Sequence, residues 1–172
     1  MKPYVIGKSS YLREVELDDA EFIYSLRTNL NKSKHLSITS GNVGDQLAYI
    51  ERYKKSTTDY YFIICQSDSK RIGTVRIYDV QDISFCWGSW ILSDGAPKFA
   101  AIESVLMLYD FAFYSLHFKK SHFDVRKGNL SVISFHKRFG AKVVGEDELN
   151  LYFEYGLASY IEARSNYSRY LK

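Results

Sequence analysis

Ser84-Phe85-Cys86-Trp87-Gly88-Ser89-Trp90-Ile91-Leu92 opens the stretch that decides the fold, which runs on to Ala141. Its β-branched and aromatic content and its length are those of a central strand. Ser93-Asp94-Gly95-Ala96-Pro97 breaks it, and Phe99 to Leu116 follows as a nearly unbroken apolar segment. Glu103 and Asp110 are seven apart, so both fall on one face of a helix and the remainder can be buried. Pro97 suits a first helical turn, where its missing N–H costs nothing. Ser121 to Arg126 reads as a second strand, and Gly128-Asn129 leads into a helix that ends at Phe139-Gly140. The break before the long helix carries chemistry. A turn of small residues feeding a helix start leaves amides pointed outward at the positive end of the dipole, an arrangement suited to a pyrophosphate. Neither a P-loop nor a GxGxxG is present.

Outward from this stretch the chain reads as one domain over 1–172, with Ala158 to Leu171 a helical addition at the C-terminus. Tyr11 to Val15 is a first strand. Asp18 and Asp19 stand where a helix N-cap and first turn want acidic residues, and that helix ends near Arg27-Thr28-Asn29. A polar loop, Asn31 to His35, precedes a second helix from Gly44 to Lys55, with Leu47, Ile50 and Tyr53 on one side. Asp59 to Cys65 and Arg71 to Asp79 form a hairpin about Ser67-Asp68-Ser69-Lys70. Lys142 to Glu146 and Leu149 to Tyr155 are two further strands. The 172 residues are 46% hydrophobic and 16% aromatic, enough for a substantial core. A net charge of +3 is too mild to argue nucleic-acid binding. Phe99 to Leu116 approaches membrane-spanning length, but its two charges make a core helix the better reading, so no membrane role is expected. Cys65 and Cys86 sit inside predicted strands and read as reduced core residues. Met1 to Ser10 carry no apolar run of the signal-peptide kind, and a cytoplasmic location is expected.

Strand Trp87 to Leu92 with its turn and long helix, then Val125 to Ala141, resemble the two central motifs of the GNAT superfamily of acetyl-CoA-dependent acyltransferases. In the second motif Asn129 stands at the start, Val132 and Ile133 three and four later, and Gly140 eleven later. The family's (Gln/Arg)-x-x-Gly-x-(Gly/Ala) turn is reduced here to Gly95-Ala96-Pro97-Lys98-Phe99-Ala100. The tyrosine seven after the Asn is His136, and the closing aromatic is Ala141. The element order β-α-α-β-β-β-α-β-α-β-β matches the family over nearly all of the chain. The resemblance implies an α/β (α+β) fold: a mixed, mostly antiparallel six- to seven-stranded sheet, helices on both faces, and a cofactor cleft where the fourth and fifth strands splay.

The same resemblance implies where acetyl-CoA binds. Backbone groups around Trp90-Ile91-Leu92 would pair with pantetheine and polarise the thioester carbonyl. Gly95, Ala96, Lys98, Phe99 and Ala100 would hold the pyrophosphate, with Asn129 and Phe135 completing the cofactor site. His136 would meet the thioester sulfur and, as an imidazolium, protonate the leaving thiolate.

Where the family places a strand glutamate, two before the glycine, this chain has Cys86. Asp79, Asp82, Glu154 and His35 are the remaining bases, although an amine of pKa about 7.7–8.0 is roughly a tenth neutral at pH 7 without one. His122 and Asp124 project from one strand face with no third ligand at sensible spacing, so no metal is expected. A Ser-His-Asp hydrolase is disfavoured because no G-x-S-x-G elbow exists.

Arg27-Thr28-Asn29 resembles the Trp-Arg-Asn signature of GNAT enzymes that acetylate nucleotide-linked amino sugars in surface-polysaccharide pathways. The Trp position is Leu26 here. Arg27, Asn29 and Tyr78 are the expected contacts to such a sugar-nucleotide acceptor, in a chain for which a homo-oligomer is possible. Two alternatives stand beside this reading: a ribosomal-protein-type N-terminal acetyltransferase, and a non-catalytic module that binds acyl-CoA.

Overall fold

The computed structural model describes residues 4–29 and 41–172. His35 and the polar loop around it lie outside the described residues. The strands are β1 (Val5–Ile6), β2 (Ser10–Glu14), β3 (Tyr60–Gln66), β4 (Arg71–Gln81), β5 (Ser84–Leu92), β6 (Lys120–Arg126), β7 (Lys142–Glu146) and β8 (Asn150–Gly156). The helices are α1 (Ala20–Thr28), α2 (Val43–Tyr53), α3 (Ala100–Asp110), α4 (Leu130–Phe139) and α5 (Leu157–Asn166). A π-helical turn, Phe111–Ser115, prolongs α3, and a short 3-10 turn, Ser168–Tyr170, follows α5.

The eight strands make one sheet in the order β1-β2-β3-β4-β5-β6-β8-β7. Among the described residues only β5 and β6 run parallel, joined by the α3 crossover, so the sheet is mixed and mostly antiparallel. It exceeds the expected six to seven strands by β1, whose two residues pair with Tyr11 and Leu12. A two-residue strand carries no alternation that a sequence pattern could register.

The sheet is buried on both faces, and β3 displays this directly. Tyr61, Ile63 and Cys65 turn toward Val15, Ile23, Ile50 and Tyr53, the cluster beneath α1 and α2. Phe62 and Ile64 turn the other way, into the large cluster under α3, α4 and α5. Continuous burial from Tyr61 to Cys65 is what a strand covered by helices on both sides requires. Cys65 and Cys86 are buried and free, as read. Leu47, expected on the buried stripe of α2, is instead exposed, while Ile50 and Tyr53 are buried.

The two acidic residues of α3 serve a purpose their spacing alone did not reveal. Glu103 is 2% exposed. Its carboxylate accepts the Ser9 amide at 2.6 Å and the Ser10 amide at 3.3 Å, docking the turn between β1 and β2. Asp110 accepts the Tyr160 hydroxyl at 2.7 Å and Arg164 Nε at 2.8 Å, docking α5. The polar side of α3 therefore clamps both ends of the chain. Pro97 is not in the first helical turn. It lies ahead of α3, with its carbonyl accepting the Ala100 amide at 2.9 Å.

Asp18 and Asp19 occupy the expected places, Asp19 at the N-cap position of α1, but Asp19 is also an ion-pair centre that the sequence did not show. Leu17–Asp19 is a 3-10 turn, and Asp19 is 1% exposed. Its carboxylate takes a two-point bond from the Arg13 guanidinium, both at 2.7 Å, with the Glu16 amide at 2.8 Å and Arg71 at 3.1 Å. Burial by itself would raise its pKa, but the bonds from Arg13, Glu16 and Arg71 outweigh it and hold the carboxyl below its ordinary range. Removing one partner of such a pair strands the other charge, so Asp19→Ala is expected to cost about 3–5 kcal/mol of unfolding free energy in urea. A depressed carboxylate stabilises the fold above its unfolded pKa and loses that contribution on acidification. The gap between wild type and Asp19→Asn should thus be full at neutral pH and close as pH falls below about 3.9. A gap that does not change with pH would remove the ion pair as its cause.

Candidate active site

The parallel strands β5 and β6 stay together for only two residue pairs, Ser84 with Lys120 and Phe85 with Ser121. Beyond these they part, and a cleft of about 240 Å³ opens between them. Trp87, Gly88, Ser89 and Trp90 line its β5 side, and Phe123, Asp124, Val125 and Arg126 its β6 side. Asn129, Val132 and His136 approach from α4, and Asn150 from β8. The β4–β5 register shifts at this level, between the Thr74–Ile91 and Arg76–Gly88 pairs, so β5 bulges. Ser89 sits in the bulge with φ of +48°, and the buried Thr74 hydroxyl donates to its carbonyl at 2.8 Å. A bulge beside a splay interrupts the ladder on the floor of the cleft.

The vertex of the splay is pinned by side chains. Ser84 Oγ lies 2.6 Å from His122 Nδ1, and His122 Nε2 lies 3.0 Å from Asp79 Oδ2, linking β5, β6 and β4. These are the residue types of a hydrolase triad, but Ser84 is buried at the closed end of the splay and away from the cleft lining. On the other face Trp87 Nε1 donates to the buried Tyr109 hydroxyl at 2.8 Å, which lies 3.4 Å from Ser121 Oγ.

Trp90 from the first motif and Asn129 and His136 from the second line this one cleft. Asn129 immediately precedes α4, and Gly140 ends that helix with φ of +101°, a backbone conformation that favours glycine. Phe135 packs its ring 5.1 Å from that of Trp90 and is not itself a lining residue. The β5 side of the cleft is Trp87 to Trp90, and Ile91 and Leu92 are not among its lining residues.

His136 is 5% exposed, with the rings of Phe123, Trp87 and Phe153 centred 4.4, 5.3 and 5.9 Å away. Burial pushes its pKa down to about 4. The imidazolium expected from the sequence is therefore corrected to a neutral imidazole at physiological pH, because among the described residues no carboxylate offsets the lost hydration.

At the exit of β5 the turn folds back on itself. The Ala96 amide donates to the Ser93 carbonyl at 3.0 Å, so Ala96 is not the open donor that its motif position implied. The Ala100 and Glu103 amides are engaged by Pro97 and Phe99, which leaves the first-turn amides of Ala101 and Ile102 without a partner among the described residues. Lys98 and Gly95 are exposed beside them, and Phe99 and Ala100 pack into the core. Lys70, from the β3–β4 hairpin, reaches the same turn: a Cβ built on Gly95 would lie 3.9 Å from its Nζ. This second cation was not legible in the sequence, since 25 residues separate it from the turn.

The opposite face of the sheet, under α1 and α2, holds the expected acceptor contacts. Tyr78 lies over Gly88, where a Cβ would come within 2.9 Å of the tyrosine oxygen, so this close approach requires glycine. Asn29 donates to Asp94 at 3.4 Å and ties the end of α1 to the turn after β5. Burial pushes the Cys86 thiol up to about 11, which leaves it protonated at neutral pH and unable to replace the missing carboxylate as a base. Asp79 and Glu154 are engaged at the closed end of the splay, by His122 and by Lys120 at 2.8 Å. Asp124, considered in the sequence only with His122, is the carboxylate that lines the cleft.

A sequence profile of the acetyltransferase (GNAT) domain matches residues 10–142. Among solved structures, FdhC without ligand, described as a nucleotide-linked sugar GNAT, is 42% identical with a TM-score of 0.90, covering 99% of this chain and 100% of that one. Two more distant structures share the fold. A GNAT-family acetyltransferase from Bacillus anthracis is 11% identical, with a TM-score of 0.77 over 88% of this chain and 97% of its own. Spermidine N-acetyltransferase from Vibrio cholerae, in complex with CoA and spermine, is 16% identical, with a TM-score of 0.77 over 89% and 98%. Comparison with curated protein sequences returned no match. Among the described residues no helix is long and apolar enough to cross a membrane. A cleft between splayed parallel strands, a helix start at its exit and a family match across most of the chain lead to one conclusion: this protein belongs to the GNAT acetyltransferases, enzymes that take their acyl group from acetyl-CoA.

Proposed function

We propose that this acetyltransferase moves an acetyl group from acetyl-CoA to the primary amine of a nucleotide-linked amino sugar, a cytoplasmic step in building a surface polysaccharide. The likeness to a nucleotide-linked sugar GNAT at 42% identity over the full length of both chains carries the reading. The pantetheine arm lies in the β5–β6 cleft against Trp87 to Trp90. The pyrophosphate meets the start of α3, where the Ala101 and Ile102 amides, Lys98 and Lys70 supply positive potential. The acceptor enters from the α1–α2 side past Tyr78, Arg27 and Asn29. Its neutral amine attacks the thioester carbon, the C–N bond forms, the C–S bond breaks, and the amine's proton ends on the CoA sulfur. Asp124, inside the cleft, is the carboxylate placed to hold the amine or relay that proton.

His136 enters this scheme as an uncharged group. A neutral imidazole can donate one hydrogen bond to the departing sulfur but carries no surplus proton at pH 7. Its removal should therefore cost less than the 10²–10⁴ of a general acid.

Three measurements test the proposal. Purified protein with acetyl-CoA and a panel of UDP- and dTDP-linked amino sugars, spermidine and a basic peptide should release CoA thiol only with sugar nucleotides. Turnover of spermidine or the peptide alone would overturn the acceptor assignment. Ala96→Asp sets a carboxylate beside the start of α3 and should raise the acetyl-CoA Kd at least tenfold, about 1.4 kcal/mol. Unchanged affinity in a folded variant would place the phosphates elsewhere. His136→Ala should lower kcat by roughly tenfold with acetyl-CoA affinity retained, and wild-type kcat should have no inflection from His136 between pH 5.5 and 7. The same depressed pKa has a thermodynamic sign. An unfolded histidine binds a proton near pH 6.5 and the folded one only near 4, so wild type should lose up to about 3 kcal/mol relative to His136→Gln between those values.

A further inference from the structure

Arg76 differs from three other arginines of the sheet and helices. Arg13, Arg71 and Arg164 each meet a carboxylate, Asp19 for the first two and Asp110 for the third. Arg76 meets none among the described residues. Its guanidinium carbon lies 5.0 Å from the ring centre of Tyr78, 5.2 Å from Tyr49 and 5.4 Å from Tyr61. Its Nε is buried and without a hydrogen-bond partner. Ring faces attract a cation but accept no conventional hydrogen bond, so the tyrosines hold the guanidinium in place while its buried Nε–H has no acceptor among the described residues. A half-buried guanidinium left in this state is costly unless an anion completes it.

The surroundings favour that anion. Arg52 lies 5.8 Å from the Tyr49 ring, and the charges of Arg27, Arg52 and Arg76 all act on Tyr49, against Asp59 as the opposing carboxylate. The position is equally pointed. Arg76 pairs across the sheet with Gly88, and Gly88 lines the cleft floor beneath Tyr78. Arg76 therefore sits on the acceptor's side of the sheet, one strand from the place where the thioester must lie, and on the face opposite His136. The start of α3, with its own cations, is a separate site that the cofactor's phosphates would occupy.

We propose that Arg76, clasped by Tyr49, Tyr61 and Tyr78, is the specificity-determining anion receptor of the acceptor site and binds the diphosphate of the sugar nucleotide. This rests on the acceptor class proposed above and adds the residue that selects it. A planar guanidinium held by rings presents two parallel donors to phosphate oxygens, which neither lysine nor a tyrosine hydroxyl can do. Such a receptor also selects against polycationic amines such as spermidine, because like charge meets them beside the cleft.

Calorimetric titration of UDP, dTDP, inorganic pyrophosphate and the uncharged nucleosides tests this, with CoA at saturation so that the cofactor's phosphate site is filled. Wild type should bind UDP or dTDP and not the nucleosides. Arg76→Met, which keeps the stem that packs on the rings, should weaken nucleotide binding at least tenfold with the CoA Kd unchanged. Arg76→Lys keeps a cation without the fork and should weaken it severalfold; if Arg76→Met does not fold, this variant decides. Wild-type affinity in either folded variant overturns the proposal, as does failure of wild type to bind any of the three phosphorylated probes. The acceptor panel separates this inference from the function it rests on. Sugar nucleotides acetylated with a KM untouched by Arg76→Met would sink the receptor and leave the function standing. Nucleotide binding that needs Arg76, with no sugar nucleotide acetylated, would leave the receptor standing and sink the acceptor class.

Discussion

The parting of β5 from β6 is the constraint on which the rest of the molecule depends. Two parallel strands that share only the pairs Ser84–Lys120 and Phe85–Ser121 leave ladder groups on their inner edges with no strand to bond. The fold tolerates this because each strand is held on its far side, β5 by β4 and β6 by β8 along its full length. The vertex is fixed from both faces, by Asp79–His122–Ser84 on one and by Trp87–Tyr109–Ser121 on the other. An extended ligand arm is the complement of such an edge: it supplies the backbone-like partner that a neighbouring strand would otherwise provide.

Around that opening the two faces of the sheet divide the labour electrostatically. The α3–α4 face is aromatic, and burial there keeps His136 neutral among Trp87, Phe123 and Phe153. The α1–α2 face is where Arg76, Tyr49, Tyr61 and Tyr78 meet, cationic and able to stack. Low dielectric on the first face strengthens any dipole within it, and the arginines of the second give that side positive potential. The carboxylates of α3 serve neither function. Glu103 and Asp110 instead seat the β1–β2 turn and α5, so the helix that begins at the cleft's exit also anchors both chain ends.

Much of this arrangement is legible in local sequence. The run from Ser84 to Leu92, the Gly-Pro break, the apolar helix and the Asn129-to-Gly140 helix form where their residues place them, because turn chemistry, capping and alternation act over a few residues. Trp90, Asn129 and His136 meet in one cleft because their motifs occupy fixed places in the crossover. Where local reading failed, the deciding partner was distant in sequence. Asp19 keeps its place at a helix start, but its ion pairs with Arg13 and Arg71 were not foreseen, and Asp79 reads as a free base until His122 takes it.

The sequence by itself determined the order of elements from β2 onward, which follows from short-range pattern, and the family, through the resemblance of its two central motifs. Only the tertiary structure decided the charge state of His136, the employment of Asp79, Glu103 and Glu154, and the isolation of Arg76 among three tyrosines. The reason is physical. Residue type fixes what a group can donate or accept, whereas its solvation and its partners are set by chain segments that folding brings together from tens of residues away.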